Sequence, residues 1–320
     1  MNKLIATAAG ITASLACAVT QAQPYPSRTV RIVVPYVAGG ASDVMARVVV
    51  SKAIADMGQQ GVVDNRAGGN ATIGMQMVAR AAPDGYTLGV VDAAFTIAPS
   101  VQVNLPYNPV NDFEPVTMLA TTALILVVHP SLPVKKISEL VALAKARPGQ
   151  LTYSSTGSGT NTHLAFAQIK LATGMDAIHV PYKGGAAQIT AVLSGEVSFA
   201  LAGPAAISPQ IRAGRARALA VTSARRLAVF PDVPTLNELG LRVVVTPFYG
   251  VVAPAGTPAE IVSRLNQILV KQLRSPELAP RLSEMQFEAV GNSPEEFSAF
   301  IRSEIPKWVK VVKATGAKID

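Results

Sequence analysis

The sequence predicts an α/β fold in two domains, with mainly parallel sheets flanked by helices. Three observations carry that prediction. Short apolar, β-branched runs alternate with stretches of helical period. Glycine-rich turns join strand to helix twice, at Gly39-Gly40 and at Gly157-Ser158-Gly159. Two apolar stretches, Val116 to Val128 and Val243 to Ala253, are too long for ordinary strands and read as connections passing between domains. They divide the chain into a discontinuous first domain, 23–122 plus 246–320, and a second domain, 123–245.

Each element follows in order. Thr29 to Pro35 is a continuous β-branched run, as a strand covered on both faces requires. Gly39-Gly40 ends it, and Ser42 is expected to cap a helix carrying Val44, Met45, Val48 and Val49 on its apolar side. A strand at Gly61 to Asp64, a helix through Met75, Met77 and Val78, and a strand at Tyr86 to Val91 follow. The last of these is preceded by the turn Pro83-Asp84-Gly85. In the second domain Ser138 is expected to cap a helix that stops at Arg147-Pro148-Gly149. Leu151 to Ser154 is a strand leading to a helix over His163 to Leu171, and further strands fall at Ala177 to Val180, Val197 to Leu201 and Ala216 to Val221. Thr257-Pro258-Ala259-Glu260 and Ser293-Pro294-Glu295-Glu296 each offer a capping hydroxyl, a proline at the first helical position and a glutamate.

The first residues are excluded from this fold. Lys3, the apolar run Leu4 to Val19 and the small residues of Thr20-Gln21-Ala22 read as an export leader, 1–22, cleaved after Ala22. The chain's only cysteine, Cys17, lies inside it, so the mature protein is expected to hold no disulfide and no cysteine-bound metal. Lipid anchoring at Cys17, suggested by Ser14-Leu15-Ala16-Cys17, is the minor alternative. The formal charge is +8, but its basic residues are scattered and no aromatics interleave the densest stretch, Arg212 to Arg226, which argues against nucleic acid.

Two loops carry the candidate chemistry. Tyr36, Val37, Ala38, Gly39, Gly40, Ala41, Ser42 and Asp43 join the first strand to the first helix. Ser154, Ser155, Thr156, Gly157, Ser158, Gly159, Thr160 and Asn161 do the same in the second domain. Glycines let a ligand approach backbone N–H groups, and the helix N-terminus adds partial positive charge, so each loop is a candidate anion cradle. Tight turns of any α/β fold would look similar. Enzyme signatures are missing: neither loop is a P-loop or a full dinucleotide fingerprint, and no nucleophile elbow surrounds Ser158. His129, His163 and His179 lack metal spacing, and Lys183 has no evident acid or base partner. We therefore expect no enzyme, no cofactor and no metal.

Several blocks resemble one family. Tyr25-Pro26-Ser27-Arg28, Ile32-Val33-Val34-Pro35-Tyr36 and Gly39-Gly40-Ala41-Ser42-Asp43 are similar to the opening of the tripartite tricarboxylate transporter substrate-binding proteins, the Bug-type receptors. Asp64-Asn65-Arg66, Pro83-Asp84-Gly85-Tyr86, His179-Val180-Pro181-Tyr182-Lys183-Gly184 and Ala253-Pro254-Ala255-Gly256-Thr257-Pro258 continue the match in the family's order.

The resemblance implies a two-lobed periplasmic-binding-protein fold of type II, with two crossover connections, that closes over a small carboxylate. It implies ligand contacts from the two loops above, with Ala93, Tyr182, Gly203 and Phe248 completing the lining. It also implies a periplasmic, monomeric receptor that delivers a dicarboxylate, an aromatic carboxylate or a similar ligand to membrane permease subunits. Docking on a two-component sensor kinase is the alternative. Hinge bending is expected near Thr121 to Leu124 and Val245 to Phe248. Phe248-Tyr249-Gly250 stands where many members carry a tryptophan, and Ala202-Gly203-Pro204-Ala205-Ala206 is unusually small and apolar, which points to a flatter or more apolar ligand than citrate.

Overall fold

A computed structural model describes residues 25–316; the expected leader and Cys17 lie outside the described residues. Two sheets organise the chain. The six-stranded sheet holds β1 (Val30–Val34), β2 (Gly61–Asn65), β3 (Thr87–Asp92), β4 (Phe113–Thr121), β10 (Phe248–Pro254) and β11 (Glu288–Ala289), in the order β11-β4-β10-β3-β1-β2. The five-stranded sheet holds β5 (Ile125–Val128), β6 (Thr152–Ser155), β7 (Ile178–Pro181), β8 (Phe199–Ala202) and β9 (Arg217–Val221), in the order β7-β6-β8-β5-β9.

The sheets are mixed, where the sequence predicted mainly parallel ones. β1 pairs in parallel with β2 and β3, and β6 with β7 and β8. The connecting strands break this rule: β10 runs against β3 and β4, and β5 runs against β8 and β9. A strand that leaves one sheet to enter the other reaches it without a crossover helix, so nothing forces it to run parallel to its new neighbours.

Helices cover the sheets. α1 (Ala41–Met45) continues through a π-helical stretch, Ala46–Ser51, into α2 (Lys52–Asp56). α3 (Thr72–Ala79) and α4 (Ala93–Val101) follow, then α5 (Ile137–Ala146), α6 (Asn161–Thr173), α7 (Gly185–Leu193) and α8 (Pro204–Arg212) on the second sheet. α9 (Ala259–Leu273), α10 (Leu278–Glu284) and α11 (Pro294–Thr315) return to the first. The Ser293 box forms as its sequence suggests: the Ser293 hydroxyl accepts the Glu296 amide at 3.2 Å and Glu296 accepts the Ser293 amide at 2.9 Å. Ser42, Ser138 and Thr257 do not cap. Helices begin at Ala41, Ile137 and Ala259, so the two serines lie inside the first turn, while the Thr257 hydroxyl donates to the Pro254 carbonyl.

Three apolar clusters form the core. One fills the outer face of the first sheet, with Ile32, Val49, Leu88 and Leu265. Another covers the outer face of the second, with Ile125, Val127, Val192 and Ile207. The third is continuous from sheet to sheet: Val33, Phe95, Phe248 and Phe297 share it with Leu126, Tyr153, Phe166 and Phe199. α11 joins its two halves, packing against both α4 and α6.

Candidate ligand-binding cleft

Strand register decides which loops face each other. In the first sheet Asp92 pairs with Tyr249 and Thr121 with Phe248, so the chain leaves this sheet level with the C-terminal end of β3. It enters the second sheet at Ile125, opposite Ala202, the C-terminal end of β8, and β6 ends on the same side. Every strand-to-helix loop of β1, β3, β6 and β8 therefore opens toward the two crossing segments. Those segments are tied together. Thr122 donates its amide to Pro247 at 2.9 Å, and the buried Thr222 hydroxyl accepts from the Leu124 amide at 2.9 Å while donating to the Val245 carbonyl at 2.6 Å.

The first-lobe loop is open. Val37 is 72% exposed and Ala38, Gly39 and Gly40 are exposed as well. Gly39 has φ +89°, a conformation that side-chain-bearing residues rarely adopt. Gly40 is extended and caps α1, whose first-turn amides at Ala41, Ser42 and Asp43 have no acceptor within the helix. Asp43 holds this loop from behind: it accepts the Gly39 amide at 3.0 Å, the Arg47 guanidinium at 3.0 Å and the Asn65 amide at 3.0 Å. Asn65 also donates to the Tyr36 carbonyl at 3.0 Å. The Arg47 bond, with help from Gly39 and Asn65, holds the Asp43 carboxyl below the usual range despite its burial.

Asp92 lies beside this loop and escaped the sequence reading, which chose its neighbour Ala93. Its Oδ1 accepts the Tyr36 hydroxyl at 2.7 Å and the Ala94 amide at 2.9 Å, and its Oδ2 has the Ser42 hydroxyl at 3.5 Å. Ala93 is only 6% exposed, and the Asp92 carboxylate already answers the N-terminus of α4, so that helix end is no anion cradle. Burial pushes Asp92 up from the ordinary carboxylate range, and burial together with Asp92 pushes Tyr36 well above its usual value. Tyr249 and Tyr107 are raised by the same two causes. An acid at the end of a strand gave a signal in the sequence, an N-cap before the Ala93 helix, that was not used.

The second-lobe loop is closed on itself. Ser154 and Ser155 are 1% and 0% exposed, and their hydroxyls are already engaged: Ser154 donates to the Gln188 carbonyl at 3.3 Å, and Ser155 bonds His179 at 2.6 Å. The Thr156 amide donates to the Thr162 hydroxyl at 3.0 Å, the Gly157 amide to Ser155 at 3.1 Å and the Gly159 amide to His163 Nδ1 at 3.0 Å. Thr160 donates to the Gly157 carbonyl at 2.7 Å. His163 and His179 stack with centroids 3.9 Å apart, so both are packing and loop-fastening residues.

The remaining candidates divide. Gly203 caps α8 with nothing within 4 Å of an added Cβ, so it borders open space. The Tyr182 hydroxyl is committed to Glu196 at 2.7 Å, leaving only its backbone beside Gly157. Phe248 is a correction: it is 1% exposed and packs edge-on against Phe297 and Phe300, inside the shared core. Alternation along β10 turns Tyr249, not Phe248, toward the Tyr36 side of the sheet. Among the described residues no His, Cys, Asp and Glu cluster could hold a metal, and no helix is long and apolar enough to cross a membrane. A cavity of about 740 Å³ lined by Ile137, Val141, Leu219 and Leu241 shares no residue with these loops.

Known proteins match this arrangement. A family model described as "Tripartite tricarboxylate transporter family receptor" matches residues 45–317. Protein BugT of Bordetella pertussis is 36% identical over 311 residues, covering 96% of this chain and 95% of the relative. Rpa4515 of R. palustris, solved with adipate, superposes with a TM-score of 0.84 at 33% identity, covering 92% of this chain and 100% of that one. MatC of Rhodopseudomonas palustris, solved with bound malate, gives 0.80 at 29% identity over 90% of this chain and 100% of that one. With two mixed α/β sheets, loops opening toward paired crossing segments and a match across most of its length, the chain belongs to the tripartite tricarboxylate transporter receptor family.

Proposed function

We propose that the protein captures a small carboxylate between its two lobes in the periplasm and delivers it to the permease of a tripartite tricarboxylate-type transporter. In this reading the first lobe is 23–122 plus 246–320 and the second is 123–245. One observation carries the reading: the Val37 to Gly40 backbone is exposed beside the unsatisfied first-turn amides of α1, while Asp43 holds the loop in shape without blocking it. A carboxylate there accepts charge-assisted bonds, which are stronger than neutral ones. The ligands named for two relatives, adipate and malate, support the same chemistry. Delivery rests on the family alone.

A thermal-shift screen over small carboxylates tests capture, since a ligand that binds only the folded state raises its midpoint. The hit should lose affinity as its methyl ester. Delivery is tested by capturing detergent-solubilised permease subunits on the immobilised receptor; retention that does not rise with ligand would sink that half of the proposal.

A further inference from the structure

The cavity of about 740 Å³ on the second lobe lies apart from the cleft loops, and hydrogen bonds fix its walls. β9 contributes Ala218 and Leu219, and two flanking segments are fastened to that strand. On one side Leu236 donates its amide to the Val221 carbonyl at 2.9 Å and Thr235 bridges Val221, so 232–236 runs along the end of β9. Glu238 holds the turn that follows, accepting the Thr235 amide at 2.8 Å and the Arg226 guanidinium at 3.0 Å. On the other side Arg217 donates to the Leu132 and Val134 carbonyls at 3.3 and 2.8 Å, which ties the chain entering α5 to β9.

The lining is apolar with a charged edge. Ile137, Val141, Leu219, Val233, Leu239 and Leu241 supply carbon surface, and Leu239 is 41% exposed although it is a large aliphatic side chain. Lys135 and Lys136 join the lining at the N-terminal end of α5. Both are exposed, and among the described residues neither ammonium comes within ion-pair distance of a carboxylate. Glu139, on the same turn, is engaged by the Lys135 and Lys136 amides at 2.6 and 3.2 Å. Asp232 is the acid of the lining, so two cations face one anion there. Lysine stems lie along apolar surface while their ammonium heads stay in water, which puts positive charge at the mouth of an apolar space. Such a mouth favours an anion and disfavours a cation. The volume falls within the range of about 300–1,000 Å³ in which proteins enclose small ligands.

We propose that this cavity is a second ligand site, which encloses the chain of a free medium-chain carboxylate with its head group at Lys135 and Lys136. The site does not depend on the carboxylate reading of the cleft.

The whole protein is titrated calorimetrically with butyrate, hexanoate, octanoate and decanoate below their micellar range. Affinity should rise about two- to fourfold per added methylene until the cavity is filled. Ser138→Trp and Val141→Phe put bulk into the cavity, the first from an exposed position outside the core. Both should cut decanoate affinity about tenfold or more, and Ser138→Trp should do so with an unchanged melting midpoint. The charges should act with opposite signs: replacing Lys135 and Lys136 together by Gln weakens decanoate several-fold, whereas Asp232→Asn tightens it. Binding that ignores chain length, or that both filling variants leave unchanged, overturns the site. Charge variants that have no effect, or that act with one sign, overturn the anionic head group. Concentration-dependent self-association that Ser138→Trp abolishes would give the cavity to a second copy of the chain and would overturn the proposal as well.

Discussion

At Gly40 the backbone has φ −78° and ψ 171°, and an added Cβ meets only the Val37 carbonyl at 3.9 Å. Valine fits that conformation, so Gly40→Val should keep its unfolding midpoint within a few degrees, about what 1 kcal/mol is worth in a protein of this size. Its carboxylate affinity should fall by about tenfold or more, because the branched chain covers the amides. Asp92 gives a prediction of opposite character. Its folded pKa is raised, so the folded state holds the proton more tightly than the unfolded chain does. Its ionisation therefore costs stability as pH rises through the window above the ordinary aspartate value, about 3.9. Asp92→Asn should raise the melting midpoint at neutral pH, and the gain should vanish below that value; an equal gain at all pH values would contradict the sign. The loop glycines and Asp43 were legible in the sequence because φ and capping are local. The bonds that commit Ser154, Ser155 and Tyr182 were not, because Gln188, His179 and Glu196 arrive from elsewhere in the chain.

Helix starts show how far local signals reach. Ser293-Pro294-Glu295-Glu296 and Thr257-Pro258-Ala259-Glu260 look alike in sequence, yet only the first forms its box. Thr257 is drawn away by the Pro254 carbonyl at 2.7 Å, a backbone group at the end of β10. Ser293→Ala should therefore cost about 1 kcal/mol in urea denaturation, with an unchanged slope. Strand parity was the other limit. Phe248 and Gly250 point toward α11, and a Cβ at Gly250 would collide with the Phe297 ring. Gly250→Ala should destabilise by about 1–3 kcal/mol, as overpacking of a filled core does. The alternation itself was visible, but which face met α11 depended on a helix that starts forty-odd residues downstream of Gly250.

At the scale of the molecule, two crossing segments and one shared core join the lobes. The long apolar runs hold the crossings: Val116 to Val128 is broken at 122–124 between β4 and β5, and Val243 to Ala253 enters β10 through an irregular stretch, 243–247. The shared core was not legible, because α11 contributes to it from the far end of the chain. We expect closure to bend near Thr121 to Leu124 and Val245 to Phe248, with the continuous core restricting its amplitude. Small-angle scattering should show a modest decrease in radius of gyration at ligand saturation; no change would argue against a hinge. Thr222 fastens both crossings through one buried hydroxyl. Thr222→Val leaves the Leu124 amide and the Val245 carbonyl without it and should cost about 1–3 kcal/mol.

The self-bonded loop of the second lobe has a kinetic consequence. An incoming ligand finds amides ready on α1, whereas Thr156, Gly157 and Gly159 must surrender bonds to Thr162, Ser155 and His163 before they can serve it. On the proposed function, encounter is expected at the first lobe, with the second exchanging one set of bonds for another only after contact is made. Stopped-flow mixing should accordingly give an association rate that responds to Gly40→Val but hardly to Thr162→Val. The latter frees the Thr156 amide, so the bound ligand gains a donor at lower cost, and its escape should slow. If the proposed site is right, Gly40→Val should change arrival rate and Thr162→Val residence time, each leaving the other quantity nearly unchanged.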